Sequence, residues 1–255
     1  KLNILRVHSI THGDGIMVSF DSPEAFEEIF WKTFCADSYI FNDHLEPHVV
    51  SQEVINLFQI FVKHVINSAD KTDQQRYLSK NNNNILRPEA LKKAFPDAII
   101  IIPFRDPIQQ SISLHHQHQK FSALQLKDPF IYKYMNWLGH CEFGAGHKAV
   151  HFSKAVLENK IDYEPDNINY WLTVWINTYC HILNSTPSET LYVSFDKLCR
   201  SPKDITTSLF SMAGISHEKY LLKEKIKAPE DKSVDNIDEL LMKKSVNVHN
   251  ALLAR

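Results

Sequence analysis

Ala98-Ile-Ile-Ile-Ile-Pro-Phe-Arg105-Asp-Pro-Ile-Gln-Gln-Ser-Ile-Ser113 decides the fold. Isoleucines at 99, 100, 101 and 102 show no polar alternation, so the strand they form is expected to be covered on both faces, as in a parallel sheet flanked by helices. Asp106 is suited to cap a helix, and Pro107 to its first position, where a missing N–H costs nothing. A helix opening at the carboxyl end of a buried strand aims free N–H groups and a positive dipole end into the crevice there. Arg105 stands at that corner with a permanent charge and a fork of donors matched to an anion. Positions 105, 109 and 113 recur every four residues, so Arg105, Gln109 and Ser113 can lie along one side of the helix as an anion clamp.

The rest of the chain alternates helices with short strands. Ser22-Pro23-Glu24 reads as a helix start, with Phe26, Phe30, Trp31 and Phe34 following at helical spacing. Residues 51–67 form an amphipathic helix, 76–80 a short strand, 88–94 a helix, and 98–104 the apolar strand. A helix from Pro107 to near Lys120 follows, then another from Asp128-Pro129 to near Gly139. An aromatic helix occupies 165–183, a third strand 190–195, and a helix with a capping box at Ser201–Asp204 runs to Gly214. Charged helices at 218–226 and 234–253 end the chain. Residues 1–20 read as irregular. Strands alternating with helices predict an α/β fold, three-layer and P-loop-like, with a central parallel sheet flanked by helices.

Bulk properties narrow the function classes. The 255 residues suit a single domain, and a hydrophobic content of 44% with 23% charged residues is that of an ordinary globular chain. A formal charge of −2 gives no reason to expect a nucleic-acid binder, and no apolar run approaches the ~20 residues of a membrane span. Cys35, Cys141, Cys180 and Cys199 are scattered without a CxxC pair, the pattern of free thiols in a reducing cytoplasm. No metal site is expected. His115, His116 and His118 face different sides of one helix, and His140, Cys141, Glu142, His147 and His151 follow no zinc spacing but can line an acceptor site.

Three stretches carry a family resemblance. They are Phe95-Pro-Asp-Ala followed by the Arg105-Asp-Pro corner and Ser113, Tyr77-Leu-Ser-Lys80-Asn-Asn upstream, and Leu191-Tyr-Val-Ser-Phe195-Asp-Lys-Leu-Cys-Arg-Ser-Pro202 downstream. In order and spacing, over residues 75–215, the chain resembles sulfotransferases that use 3′-phosphoadenosine 5′-phosphosulfate (PAPS). The resemblance implies transfer of a sulfuryl group from PAPS to a hydroxyl or amine, leaving the 3′,5′-bisphosphate PAP. Arg105 and Ser113 would hold the 3′-phosphate, Phe195 would stand where relatives place a tyrosine beside the nucleotide, and Lys80 would contact the transferring group.

Departures from the family pattern are equally specific. Asn82 occupies the place where some relatives carry a basic histidine, and asparagine cannot take a proton. His8, His12, Asp14 and Glu24 are the candidates for the missing base, with His12 first because its pKa suits proton transfer near neutrality. No Pro-x-Ser-Gly-Thr-Thr-type loop for the 5′-phosphosulfate is readable, and the expectation is one domain over 1–255 whose amino-terminal strand and loop are missing. The family's late basic segment has no clean counterpart either. Rival readings are a phosphoryl-transfer kinase on the same sheet and a non-catalytic nucleotide-binding domain. The acceptor stays open among small molecules, carbohydrates, lipids and peptides.

Overall fold

A computed structural model describes residues 10–11, 17–18, 26–68, 76–152, 161–215 and 230–255. The turn containing His12, the Ser22 helix start and the 218–226 helix lie outside the described residues. Elements in chain order are β1 (Ile10–Thr11), β2 (Met17–Val18), α1 (Phe26–Tyr39), β3 (His44–Leu45), α2 (Gln52–Ser68), α3 (Pro88–Ala94), β4 (Ile101–Phe104), α4 (Pro107–Lys127), α5 (Pro129–Leu138), β5 (Ala149–Val150), α6 (Ile168–Ser185), β6 (Leu191–Ser194), α7 (Phe195–Arg200), α8 (Pro202–Met212) and α9 (Glu239–Leu253). A 3-10 turn, Asn82–Leu86, precedes α3.

Helices and strands are mixed, and two of the three strand pairs are parallel: β3 with β5, and β4 with β6. β1 and β2 pair antiparallel inside a stretch that the sequence reads as irregular. Among the described residues the central sheet is represented by the β4–β6 pair. The expectation that both faces of the isoleucine strand are covered is corrected here. Ile99 and Ile101 are 43% and 44% exposed, whereas Phe104 is 3% exposed. Burial alternates along β4, because α6 and α9 pack on one face only.

Two apolar clusters form the core. Trp31, Phe30, Phe58, Tyr39 and Leu86 gather α1, α2, α3 and the 3-10 turn. Phe104, Trp175, Ile176, Tyr179, Leu241 and Leu252 join β4, α6 and α9. Trp171 and Trp175, both 1% exposed, are core residues of α6. Both helix caps expected near the decisive strand form. Asp106 accepts from the Gln109 N–H at 2.9 Å, and Asp128 accepts from the Phe130 N–H at 2.9 Å. Between them α4 runs past the expected stop near Lys120 to Lys127, held by buried Phe121 and Gln125. The Ser201 capping box is a second correction: α8 starts on Pro202 without a side-chain cap from Ser201.

Residues 76–80 belong to no strand pair, contrary to the sequence reading. They remain extended for another reason. Tyr77 Oη and Ser79 Oγ donate to Glu27, and Asn81 Nδ2 donates to Glu28 at 2.8 Å. Alternate side chains thus point at α1, while Leu78 between them is 92% exposed. Side-chain bonds to two carboxylates replace the ladder.

Candidate functional site

One candidate region is the carboxyl edge of the β4–β6 pair. Phe104 and Ser194 are register partners, so Arg105 and Phe195 leave the two strands side by side. The Arg105 guanidinium carbon lies 5.6 Å from the centre of the Phe195 ring. Arg105 Nη1 donates to Ser113 Oγ at 3.3 Å, and that hydroxyl donates onward to the Gln109 carbonyl at 3.0 Å. Three residues read from the sequence as binding groups therefore meet. The Asp106 N–H donates to Asp196 at 3.2 Å, tying the corner to the start of α7. Tyr179 Oη, donating to the Pro103 carbonyl at 3.0 Å, anchors the strand end from α6.

Gln109 does not complete the clamp as expected. Its amide exchanges two 2.9 Å hydrogen bonds with the Lys232 backbone and docks the 230–238 segment onto α4. Among the described residues Arg105 Nε is buried without a hydrogen-bond partner, and Arg105 forms no ion pair. A partly buried guanidinium in that state is suited to an anion.

A separate cavity is lined by Lys80, Asn82, Glu28, Gly139, His140 and Glu142. Glu28 reaches it from the start of α1, beside a second buried carboxylate, Glu27. Glu27 accepts from Trp31 Nε1 at 3.1 Å and Asn84 Nδ2 at 2.9 Å besides Tyr77 and Ser79. Glu28 pairs through both oxygens with Arg87 at 2.9 and 3.1 Å, and accepts from Tyr39 Oη at 2.6 Å. Burial pushes the Glu28 carboxyl up, but Arg87 and the Tyr39 and Asn81 hydrogen bonds outweigh it and hold its pKa below the usual range. Gly139 closes the cavity. Its φ of +81° and a Cβ position 2.6 Å from Glu28 Cγ both require glycine.

On the opposite wall His140 Nδ1 lies 3.3 Å from Glu142 Oε2, and Asn82 Nδ2 donates to Glu142 Oε1 at 3.2 Å. Burial pushes the Glu142 pKa up, yet the His140 hydrogen bond and charge, with Asn82, leave it lowered. The carboxylate therefore holds the imidazole ring in place through Nδ1. Sequence reasoning placed His140 and Glu142 in a loosely defined acceptor region and missed their union with Lys80. Their i, i+2 spacing is the one local signal that could have joined them.

Other histidines are occupied differently. His147 is buried against His118 and held down to about 4, with Nε2 2.6 Å from Tyr170 Oη. His118 Nδ1 accepts from the Gly144 N–H at 3.3 Å. His12, the first-ranked base, lies outside the described residues.

Comparison with known proteins bears on this geometry. Residues 27–148, a little under half of the chain, match the model of the sulfotransferase family. That stretch contains Lys80, Arg105, Ser113, His140 and Glu142. Among solved structures, a sulfotransferase from Alicyclobacillus acidocaldarius is similar with a TM-score of 0.45 and 13% identity, covering 89% of this chain and 83% of that one. No curated protein matches the chain. Among the described residues no helix is long and apolar enough to cross a membrane.

Proposed function

We propose that the chain is a PAPS-dependent sulfotransferase acting in the cytoplasm, built on a three-layer, P-loop-like sheet. The observation that carries this is the Arg105 corner, a guanidinium with no ion pair among the described residues, set against a hydroxyl and an aromatic face at a strand's carboxyl edge. A ribose phosphate supplies the counter-charge, the Ser113 hydroxyl turns its proton from the Gln109 carbonyl to the phosphate, and Phe195 offers a surface beside the nucleotide. Lys80 stands at the cavity where the sulfuryl group would pass. The acceptor oxygen or nitrogen attacks sulfur, the bond from sulfur to the phosphate oxygen breaks, and PAP leaves with the electron pair.

The attacking group must give up its proton. With His12 outside the described residues, His140 Nε2 is the proton acceptor we assign, oriented by Glu142 through Nδ1. Its partner carboxylate is ionised near neutrality, which stabilises the imidazolium that forms. His140→Gln is expected to lower kcat about a hundredfold and remove the acidic limb of the kcat–pH profile while leaving PAP affinity intact. An unaltered pH profile would return the role to another group.

Calorimetry tests the nucleotide reading. Arg105→Ala is expected to weaken PAP binding by at least ~1.5 kcal/mol, the scale of a hydrogen bond to a charged group. PAP affinity equal to that of the unaltered chain would overturn the assignment. Thermal shifts with ATP and PAP compared side by side separate this reading from the kinase alternative, and labelled PAPS offered to phenols, sugars, lipids and peptides identifies the acceptor.

A further inference from the structure

A second constellation stands apart from the site described above and does not depend on the sulfotransferase reading. The parallel pair β3–β5 sets His44 opposite Ala149 and Leu45 opposite Val150. The His151 N–H then donates to the Leu45 carbonyl at 2.7 Å, carrying the pairing onward. Side chains two apart on a strand share a face. His44 and Glu46 on one strand therefore face His151 on its neighbour. One ligand atom from each of His44, Glu46 and His151 can be chosen so that all lie within 4.8 Å of one another.

The surroundings prepare His44 for coordination. Its Nδ1 is 2.7 Å from Asp43 Oδ1, and its Nε2 is 3.0 Å from Glu46 Oε1. A carboxylate accepting from Nδ1 fixes the tautomer that leaves the Nε2 lone pair for a metal. Phe41 packs on the His44 ring with centroids 4.7 Å apart, and His151 stacks at 4.1 Å. Lys148, the nearby cation, donates to the Phe41 and Asn42 carbonyls. Ligands about 2.0–2.1 Å from a tetrahedral ion are roughly 3.3 Å apart. The His44–Glu46 spacing of 3.0 Å is close to that figure, and the exposed His151 offers its ligand atom within 4.8 Å of the other two.

We propose that His44, Glu46 and His151 bind a zinc ion, with Asp43 as the carboxylate behind His44 and water in the fourth position. Two imidazoles and one carboxylate suit zinc and the later first-row metals rather than calcium or magnesium. The ion staples β3 to β5 across more than a hundred residues of chain. The sequence expected no metal because the ligands separate into a His-x-Glu pair and a distant histidine. Only the strand register unites them.

Tag-free chain, stripped with EDTA, is titrated with zinc chloride by calorimetry, and cobalt(II) substitution is followed by visible absorption. One saturable zinc equivalent is expected, with the intense absorption of four-coordinate cobalt. Asp43→Asn should weaken zinc binding about tenfold, and His151→Ala and Glu46→Gln should abolish that equivalent. His115→Ala, on α4, should leave it unchanged. If zinc does not saturate, an imidazolium bridging two carboxylates occupies the site and the proposal falls. It falls equally if His151→Ala binds zinc as the unaltered chain does.

Discussion

Lys80→Ala is expected to lower sulfuryl-transfer turnover about a hundredfold or more, the effect of removing one preorganised charge from a group-transfer site. As sulfur moves between oxygens, negative charge grows on the departing phosphate oxygen, and a compact ammonium beside it gains most in the transition state. Lys80 is suited to this by the geometry of its segment. Tyr77, Ser79 and Asn81 are all bonded to the α1 carboxylates, and the same alternation turns Lys80 to the cavity that His140 and Glu142 line. PAP affinity should change much less, because Arg105 and Ser113 remain. Lys80→Arg restores charge with a broader, planar head and should recover turnover only partly. The measurement is single-turnover transfer from labelled PAPS alongside PAP calorimetry. A loss confined to nucleotide affinity, with the chemical step intact, would remove Lys80 from the transferring group.

Arg87→Met is expected to destabilise the chain by about 3–5 kcal/mol, because it leaves a buried carboxylate without its cation. Arg87 is 1% exposed, and its guanidinium lies 4.9 Å from the rings of both Trp31 and Tyr39. Denaturant unfolding checks the loss, and pairing Arg87→Met with Glu28→Leu should recover part of it, since two apolar groups need no counter-charge. The pH dependence follows from the same pair. The Glu28 carboxyl is held below its ordinary value in the folded chain, so its contribution is complete above the unfolded carboxylate pKa of about 4.3 and declines as pH falls through the folded value. Glu28→Gln should flatten that acid limb. An unchanged slope of stability against pH in this variant would show that other carboxylates govern acid unfolding.

The elements legible in the sequence are those specified locally. Phe195 is legible only through the family resemblance of residues 191–202, whereas Arg105 and Ser113 could be read because a strand end, a proline at the first helical position and a four-residue period place them with no help from distant chain. The helices around them follow the same rule. What could not be read rests on long-range partners. Glu27 and Glu28 look like ordinary acids at a helix start, yet Tyr77, Ser79, Asn81, Asn84 and Arg87 turn them into a buried hub. Gln109 has the right period for the clamp but is claimed by Lys232, 123 residues away. The isoleucine run promised two covered faces, but composition cannot say how many neighbours a strand will find. Ser201 shows the opposite failure, since a correct local motif does not form its bond.

Helix α4 is unbroken over 21 residues, a rod of about 30 Å. Ser113 stands near one end, and Gln125 near the other grips the Ala145 N–H just beyond the His140–Glu142 wall. One uninterrupted run of backbone thus ties the hydroxyl beside Arg105 to the Ala145 turn, so a shift of the helix axis at either contact is passed on to the other.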